Sequence, residues 1–148
     1  MLSEDGAEIP DGFDYWFRSS FSPYVVHASA SISCILFFVW TLRYRGSVAL
    51  SGADLFNLHP LLMSVAFTLL VPESILLLRF AGFKRNLSKP AHASLHALAL
   101  LLAILGFAAG FKSKQDRDLT HFHSLHSWVG ISLMVLFIGQ WLFGLYLF

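Results

Sequence analysis

Residues 55–78 read LFNLHPLLMSVAFTLLVPESILLL, an almost uninterrupted apolar run that ends at Arg79 and contains one acidic residue, Glu73. A helix needs about 20 consecutive apolar residues to cross a bilayer, and this run exceeds that length. Because the linkers around it are short and polar, consecutive helices are expected to be antiparallel neighbours. Three further runs have the same character, at 23–42, 90–111 and 122–148. The sequence therefore predicts an all-α integral membrane protein, an antiparallel four-helix transmembrane bundle.

The composition supports a membrane protein and excludes several other classes. The chain has 148 residues, of which 56% are hydrophobic and 13% are charged. Soluble domains carry about 25% charged residues, so much of this surface must face something other than water. A net charge of +1 provides no basic footprint for nucleic acid. The one cysteine, Cys34, excludes an internal disulfide and is interpreted as a small buried core residue.

The first 22 residues form an acidic segment ahead of the first run, with Glu4, Asp5, Glu8, Asp11 and Asp14. A secretory signal peptide starts with basic residues and a short apolar stretch, so this segment is interpreted as a tail. The basic residues divide evenly between the two faces, so charge alone does not orient the bundle. Pro90 is expected in the first turn of the third helix, where its missing N–H is tolerated.

Five of the seven histidines lie in or beside the apolar runs, although ionisable residues inside a span are costly and usually functional. His59 and His126 each lie about four residues into runs that cross in the same direction. At 1.5 Å of rise per residue, both are about 6 Å from the same membrane face. His92 and His96 begin a run of opposite direction and lie near the opposite face, which His27 shares.

A histidine from each of two neighbouring helices can hold a flat cofactor in a bundle core. Haem iron accepts two axial imidazoles, whereas a zinc site needs three or four close ligands, usually including cysteine or carboxylate. His59 and His126 have no carboxylate near them in their helices, which favours haem. A histidine-based metal transporter stays open as an alternative, as does packing without a ligand.

Three segments carry a resemblance to a known family: LFNLHPLLMSVAF (55–67), KPAHASLH (89–96) and HFHSLHSWVGI (121–131), followed by GQWLFG. They resemble the signature segments of the cytochrome b561 family, ascorbate-dependent transmembrane electron carriers with six helices. The resemblance runs from about Asp54 to Phe148. It implies that the four predicted helices are part of a six-helix core.

The resemblance also implies roles for single residues. His59 and His126 would ligate one haem b on the non-cytosolic side, and His92 would ligate a second haem on the cytosolic side. His96 would hydrogen-bond a propionate or the substrate. Lys89 would bind cytosolic ascorbate, at an entrance lined by Arg79, Lys84 and Arg85.

A basic entrance of this kind raises the local concentration of the ascorbate monoanion. The same side holds both termini, so the tail at residues 1–22 becomes cytosolic. These basic residues have an alternative interpretation, as ordinary loop charges or anchors to lipid headgroups.

The sequence departs from the family pattern at two places. The family takes the partner of His92 from a fifth helix, and this chain ends with the fourth run. The interpretation is a fragment or a truncated product with one complete haem ligand pair and missing C-terminal helices. His123 replaces a usual tyrosine, so His121 and His123 are interpreted as non-cytosolic contacts to a metal or substrate. Glu73 is expected to pair with Arg79 or to line a polar cavity.

The expected function is one-electron transfer from cytosolic ascorbate to monodehydroascorbate or ferric iron on the other side. The expected location is an endomembrane (vacuole, lysosome or vesicle) or the plasma membrane, with a homodimer as one expected assembly. The alternative is a truncated, non-catalytic membrane protein or partner subunit that lacks the second haem.

Overall fold

The computed structural model describes residues 21–80 and 85–147, and the regular structure of these ranges is helical. There are four long helices, which confirms the predicted all-α bundle. They are α1 (Phe21–Tyr44), α2 (residues 53–80), α3 (Arg85–Gln115) and α4 (Leu125–Tyr146).

The four helices are long and apolar enough to cross a membrane, at Pro23–Tyr44, Ala53–Arg79, Leu87–Gln115 and Leu125–Tyr146. The chain is a multi-pass membrane protein, as predicted. One local prediction was wrong, because α3 begins at Arg85 and Pro90 therefore lies inside the helix. The proline removes one backbone hydrogen bond there, which is tolerable because it falls near the start of a long helix.

Helix α2 changes its winding along its length. It consists of a 3₁₀ turn at Ala53–Asn57, an α-helical segment at Leu58–Met63, a π-helical segment at Ser64–Leu70 and an α-helical segment at Val71–Phe80. Pro72 has no N–H to donate to the Thr68 carbonyl, so the regular ladder is interrupted at this level. The wide turns alter which side chains of α2 face each neighbour.

Helix α2 packs between α1 and α3, while α4 packs mainly on α3. Small residues make these contacts close: Ala66, Ala99 and Ala103 are buried with Phe137 in one cluster. On α3, a Cβ atom at Gly106 would lie 3.2 Å from Leu62 Cβ of α2. Small residues four apart allow close helix approach where lipid provides no hydrophobic drive for association. Most large apolar side chains outside this cluster are exposed, as a lipid-facing surface requires.

Polar contacts join α1 and the following loop to α2. The Asn57 side chain is buried and donates through Nδ2 to the carbonyls of Arg45 (3.3 Å) and Ser47 (2.7 Å). Its Oδ1 accepts a bond from Arg45 Nε at 3.3 Å. Cys34 is buried, as predicted, with its Sγ 3.4 Å from Ser64 Oγ. The start of α2, just before His59, is therefore fixed by the loop that precedes it.

Candidate functional site

A cavity of about 700 Å³ opens between α2, α3 and α4. Ligand pockets of about 300–1,000 Å³ with mainly apolar walls and a few placed polar groups are typical of cofactor sites. The polar lining includes His59, His126, Lys114 and His121. The apolar lining includes Phe56, Met63, Phe67, Phe107, Ile131 and Met134.

The structure brings His59 and His126 together at this cavity. Their ring centroids lie 6.0 Å apart, with the ring planes at 89°. Two imidazole nitrogens on one metal ion, each about 2 Å from it, place the ring centroids roughly 6 Å apart. The separation therefore fits a pair of axial ligands on one iron.

Each member of the pair is placed by local structure. His59 lies in the short α-helical segment Leu58–Met63, and His126 is the second residue of α4. Ser124 caps α4, with its Oγ accepting a bond from the Ser127 backbone N–H at 3.3 Å. The cap starts the helix immediately before His126, because a serine side chain satisfies an otherwise unpaired N–H at a helix start.

The Nδ1 atom of His59 is hydrogen-bonded to the neighbouring helix. It donates to the Gly106 carbonyl of α3 at 3.0 Å, which leaves Nε2 for a ligand. His92 of α3 makes the corresponding bond to α2, since its Nδ1 donates to the Ser74 carbonyl at 2.9 Å. Metal-binding histidines commonly donate their second N–H to a backbone carbonyl, which fixes the tautomer and the ring orientation.

Two glycines that were not predicted from the sequence shape the site. A Cβ atom at Gly110 would lie 3.0 Å from His59 Nδ1, so the ring rests directly on the α3 backbone. Gly130 of α4 lines the cavity, and a Cβ atom there would meet nothing within 4 Å. The spacing of Gly106 and Gly110, four residues apart, is a signal that points to close packing at this level.

Aromatic rings and a cation surround the histidine pair. Phe56 stacks on His59 with centroids 5.7 Å apart, and the Arg117 guanidinium lies 5.8 Å from the Phe56 centroid. His121 lines the cavity and stacks on Phe111 at 4.2 Å. His123 is exposed.

Within residues 21–80 and 85–147, no group of three His, Cys, Asp or Glu side chains is placed to hold a metal ion.

The second predicted histidine group has a different environment. The rings of His92 and His96 lie 4.4 Å apart, beside a cavity of about 130 Å³ that also contacts Gln140 and Trp141. His96 is 3% exposed, and neither of its ring nitrogens has a hydrogen-bond partner among the described residues. This volume is below the roughly 300 Å³ at which cofactor-sized pockets begin.

The basic residues predicted at the cytosolic entrance lie only partly within the described residues. Lys89 and Arg79 are exposed near the ends of α3 and α2, where both make interactions. Lys84 and the side chain of Arg85 lie outside the described part of the chain. Glu73 contacts His27, a partner that was not predicted from the sequence, at 2.6 Å between Oε1 and Nδ1.

Comparison with known proteins gives consistent results. Residues 58–148 match the family model for eukaryotic cytochrome b561. Over 128 residues the chain is 37% identical to transmembrane ascorbate ferrireductase 1 of Arabidopsis thaliana, covering 84% of this chain and 54% of that protein. Over 107 residues it is 38% identical to the transmembrane ascorbate-dependent reductase CYB561 of Sus scrofa, covering 72% of this chain and 42% of that protein. The chain thus spans about half the length of the curated relatives it matches.

Proposed function

Because the chain belongs to the eukaryotic cytochrome b561 family, we propose that it takes part in one-electron transfer across a membrane through haem b held between His59 and His126. The names of its relatives refer to ascorbate and to ferric reduction, so ascorbate is the proposed donor. Monodehydroascorbate or ferric iron is the proposed acceptor.

The observation that carries this proposal is the pairing of His59 with His126 across the 700 Å³ cavity, at 6.0 Å between ring centroids. Both rings reach the cavity, and the bond from His59 Nδ1 to Gly106 leaves Nε2 for iron. The apolar lining suits a flat macrocycle. Gly130 supports the same conclusion, because it leaves open the space that a larger side chain would fill.

Haem b supplies, when bound, a centre that takes up and releases one electron. The residues of this chain hold and tune that centre. The apolar walls exclude water, and the carbonyl bond to His59 makes the ring a more basic ligand. With haem bound, the burial of the site and the two histidines that would hold the iron would set its reduction potential. Lys114, at the cavity wall, provides a positive charge for a propionate or an anionic substrate.

The opposite side of the membrane has a proposed role as the electron entry. His92 is the proposed ligand of a second haem, with its ring oriented by the Ser74 carbonyl. Lys89 and Arg79, with Lys84 and Arg85, are the proposed residues that gather the ascorbate monoanion there. The proposed domain organisation is a cytosolic tail at residues 1–22 and a transmembrane domain at residues 23–148.

The haem content of the purified 148-residue chain tests the proposal. We expect close to one haem per chain, with a reduced-minus-oxidised spectrum typical of two histidine ligands. His59→Ala and His126→Ala should each abolish this spectrum, whereas His123→Ala, an exposed histidine outside the cavity, should preserve it. Normal haem content in His59→Ala or His126→Ala would refute the assigned site, and two six-coordinate haems per chain would refute the one-haem prediction.

A second candidate function is favoured by the small cavity beside His92 and His96. In this alternative the chain is a membrane subunit that holds one haem and does not transfer electrons across the bilayer by itself. Liposomes loaded with ferricyanide and supplied with external ascorbate distinguish the two functions. Reduction of the internal ferricyanide at a rate above that of protein-free liposomes would exclude the subunit alternative.

A further inference from the structure

A histidine and a carboxylate meet between α1 and α2, away from the large cavity. His27 Nδ1 lies 2.6 Å from Glu73 Oε1, and the two side chains are 46% and 27% exposed. Both residues belong to helices long and apolar enough to span a membrane. An ionisable group in a span is costly unless it has a partner, and here each of the two residues is a partner of the other.

The residue after Glu73 is the one that orients His92. Ser74 is fully buried, its Oγ donates to the Val71 carbonyl at 2.7 Å, and its own carbonyl accepts the His92 Nδ1 bond at 2.9 Å. Glu73 therefore contacts α1 through its side chain, while the next residue, Ser74, contacts α3 through its backbone carbonyl.

The irregular geometry of α2 next to Glu73 and Ser74 bears on how the Ser74 carbonyl is held in place. The segment that contains Glu73 and Ser74 follows the π-helical turns Ser64–Leu70 and includes Pro72, which has no N–H. One backbone hydrogen bond of α2 is therefore missing immediately before Glu73. Helix α1 contacts α2 at both ends of the irregular region, through Cys34 at Ser64 and through His27 at Glu73.

We propose that the His27–Glu73 contact is a positioning pair for His92: it fixes the rotation of α2 at residue 73, and with it the Ser74 carbonyl that orients the His92 ring. The inference rests on the proposed function, because the orientation of the His92 ring matters for haem only if His92 is a ligand. The ring orientation itself can be measured in the haem-free protein. A carbonyl that fixes the tautomer of a ligating histidine also determines which nitrogen faces the metal.

The direct test measures the His92 side chain in haem-free, ¹⁵N-labelled protein in detergent micelles. In the wild-type protein we expect the tautomer with Nδ1–H. In Glu73→Ala and in His27→Ala we expect exchange of this proton with water to become roughly five-fold faster, as loss of one hydrogen bond predicts. The double variant should add little to either single change, because both remove the same contact.

Two further variants control for general loosening of α1. Cys34→Ala removes a different α1 contact to α2, the one to Ser64, but leaves residue 73 untouched, so exchange at His92 should stay at the wild-type rate. Glu73→Gln keeps a group that can bond the His27 ring and should restore most of the protection. If Glu73→Ala does not fold, His27→Ala, which changes the more exposed partner, provides the same measurement.

An unchanged His92 exchange rate in His27→Ala would overturn the inference, as would an equal acceleration in Cys34→Ala. Haem content of the wild-type chain is measured separately. A chain without haem whose His92 responds to Glu73→Ala would refute the proposed function alone. A chain with haem whose His92 does not respond would refute the positioning pair alone.

Discussion

Replacing Gly110 with alanine tests how closely the His59 ring packs on the backbone of α3. The added Cβ atom would lie 3.0 Å from His59 Nδ1 and 3.3 Å from its Cγ, whereas ordinary van der Waals contact begins at 3.4 Å. The ring must therefore move by the difference between 3.4 and 3.0 Å, about 0.4 Å. It cannot do so freely, because its Nδ1 bonds the Gly106 carbonyl and Phe56 stacks on the ring.

The expected effect on binding is larger than the effect on folding. Overpacking costs about 1–3 kcal/mol, while alanine in place of glycine stabilises a helix by about 0.5–1 kcal/mol, so the two terms partly cancel in the free energy of unfolding. Displacement of the ring also weakens its carbonyl bond, and loss of such outer contacts reduces metal affinity about 10–100-fold. Gly110→Ala should therefore fold and raise the haem dissociation constant by roughly that factor.

Haem titration of the haem-free protein, followed by its visible absorbance, gives the dissociation constant. Gly139→Ala is the matched control, since a Cβ atom at this α4 glycine meets nothing within 4 Å and the residue does not line the cavity. Its haem affinity should equal that of the wild type. Wild-type haem affinity in Gly110→Ala would refute the proposal that His59 is a haem ligand positioned by the α3 backbone at Gly110. An equal loss of haem affinity in Gly139→Ala would refute it as well.

Three other substitutions extend the test. Gly130→Leu should fill the cavity and cut haem content at least tenfold without unfolding the protein, whereas Gly139→Leu should not; equal haem content in both would remove the cavity from the proposal. In protein whose haem is reduced by ascorbate, Lys89→Ala should raise the ascorbate concentration for half-maximal haem reduction several-fold and Lys112→Ala should not, because lost ground-state attraction acts through binding. An unchanged ascorbate dependence would support the lipid-anchor interpretation of Lys89. Asn57→Ala should lower the free energy of unfolding by about 2–3 kcal/mol, measured by chemical denaturation in micelles, because three hydrogen bonds of a buried side chain are lost; a change below about 0.5 kcal/mol would contradict this.

The parts of the structure that depend on sums along the chain could be predicted from sequence. Hydropathy adds residue by residue, so the four spans followed directly. Because the rise per residue of a helix is nearly constant, the sequence predicted that His59 and His126 lie at the same depth below one membrane face, and equal depth was enough to pair them. The confirmed burial of Cys34 had the same basis, an apolar position within a span.

The parts that depend on rotation about helix axes could not be predicted. The π-helical turns at Ser64–Leu70 change which α2 side chains face α1, so the contact of Glu73 with His27 had no signal in the periodicity. The acceptors of the histidine N–H groups are backbone carbonyls, which every residue has. Pro90 is compatible with a first turn or with a later position, and α3 begins at Arg85, before it.

The direction of the helices explains why the two histidine groups differ. Helices α2 and α4 cross in the same direction, so histidines near their starts, His59 and His126, meet at one depth. Helix α3 crosses in the opposite direction, and among the described helices α1 shares its direction. The histidine of α1, however, bonds Glu73 on α2, and the cavity beside His92 is about 130 Å³. The proposed ligand role of His92 therefore requires a second axial ligand from a helix that begins on the same face as α3 and is not among these four. Adding such a helix should raise the haem content from close to one per chain to two, and unchanged content would show that His92 does not bind haem.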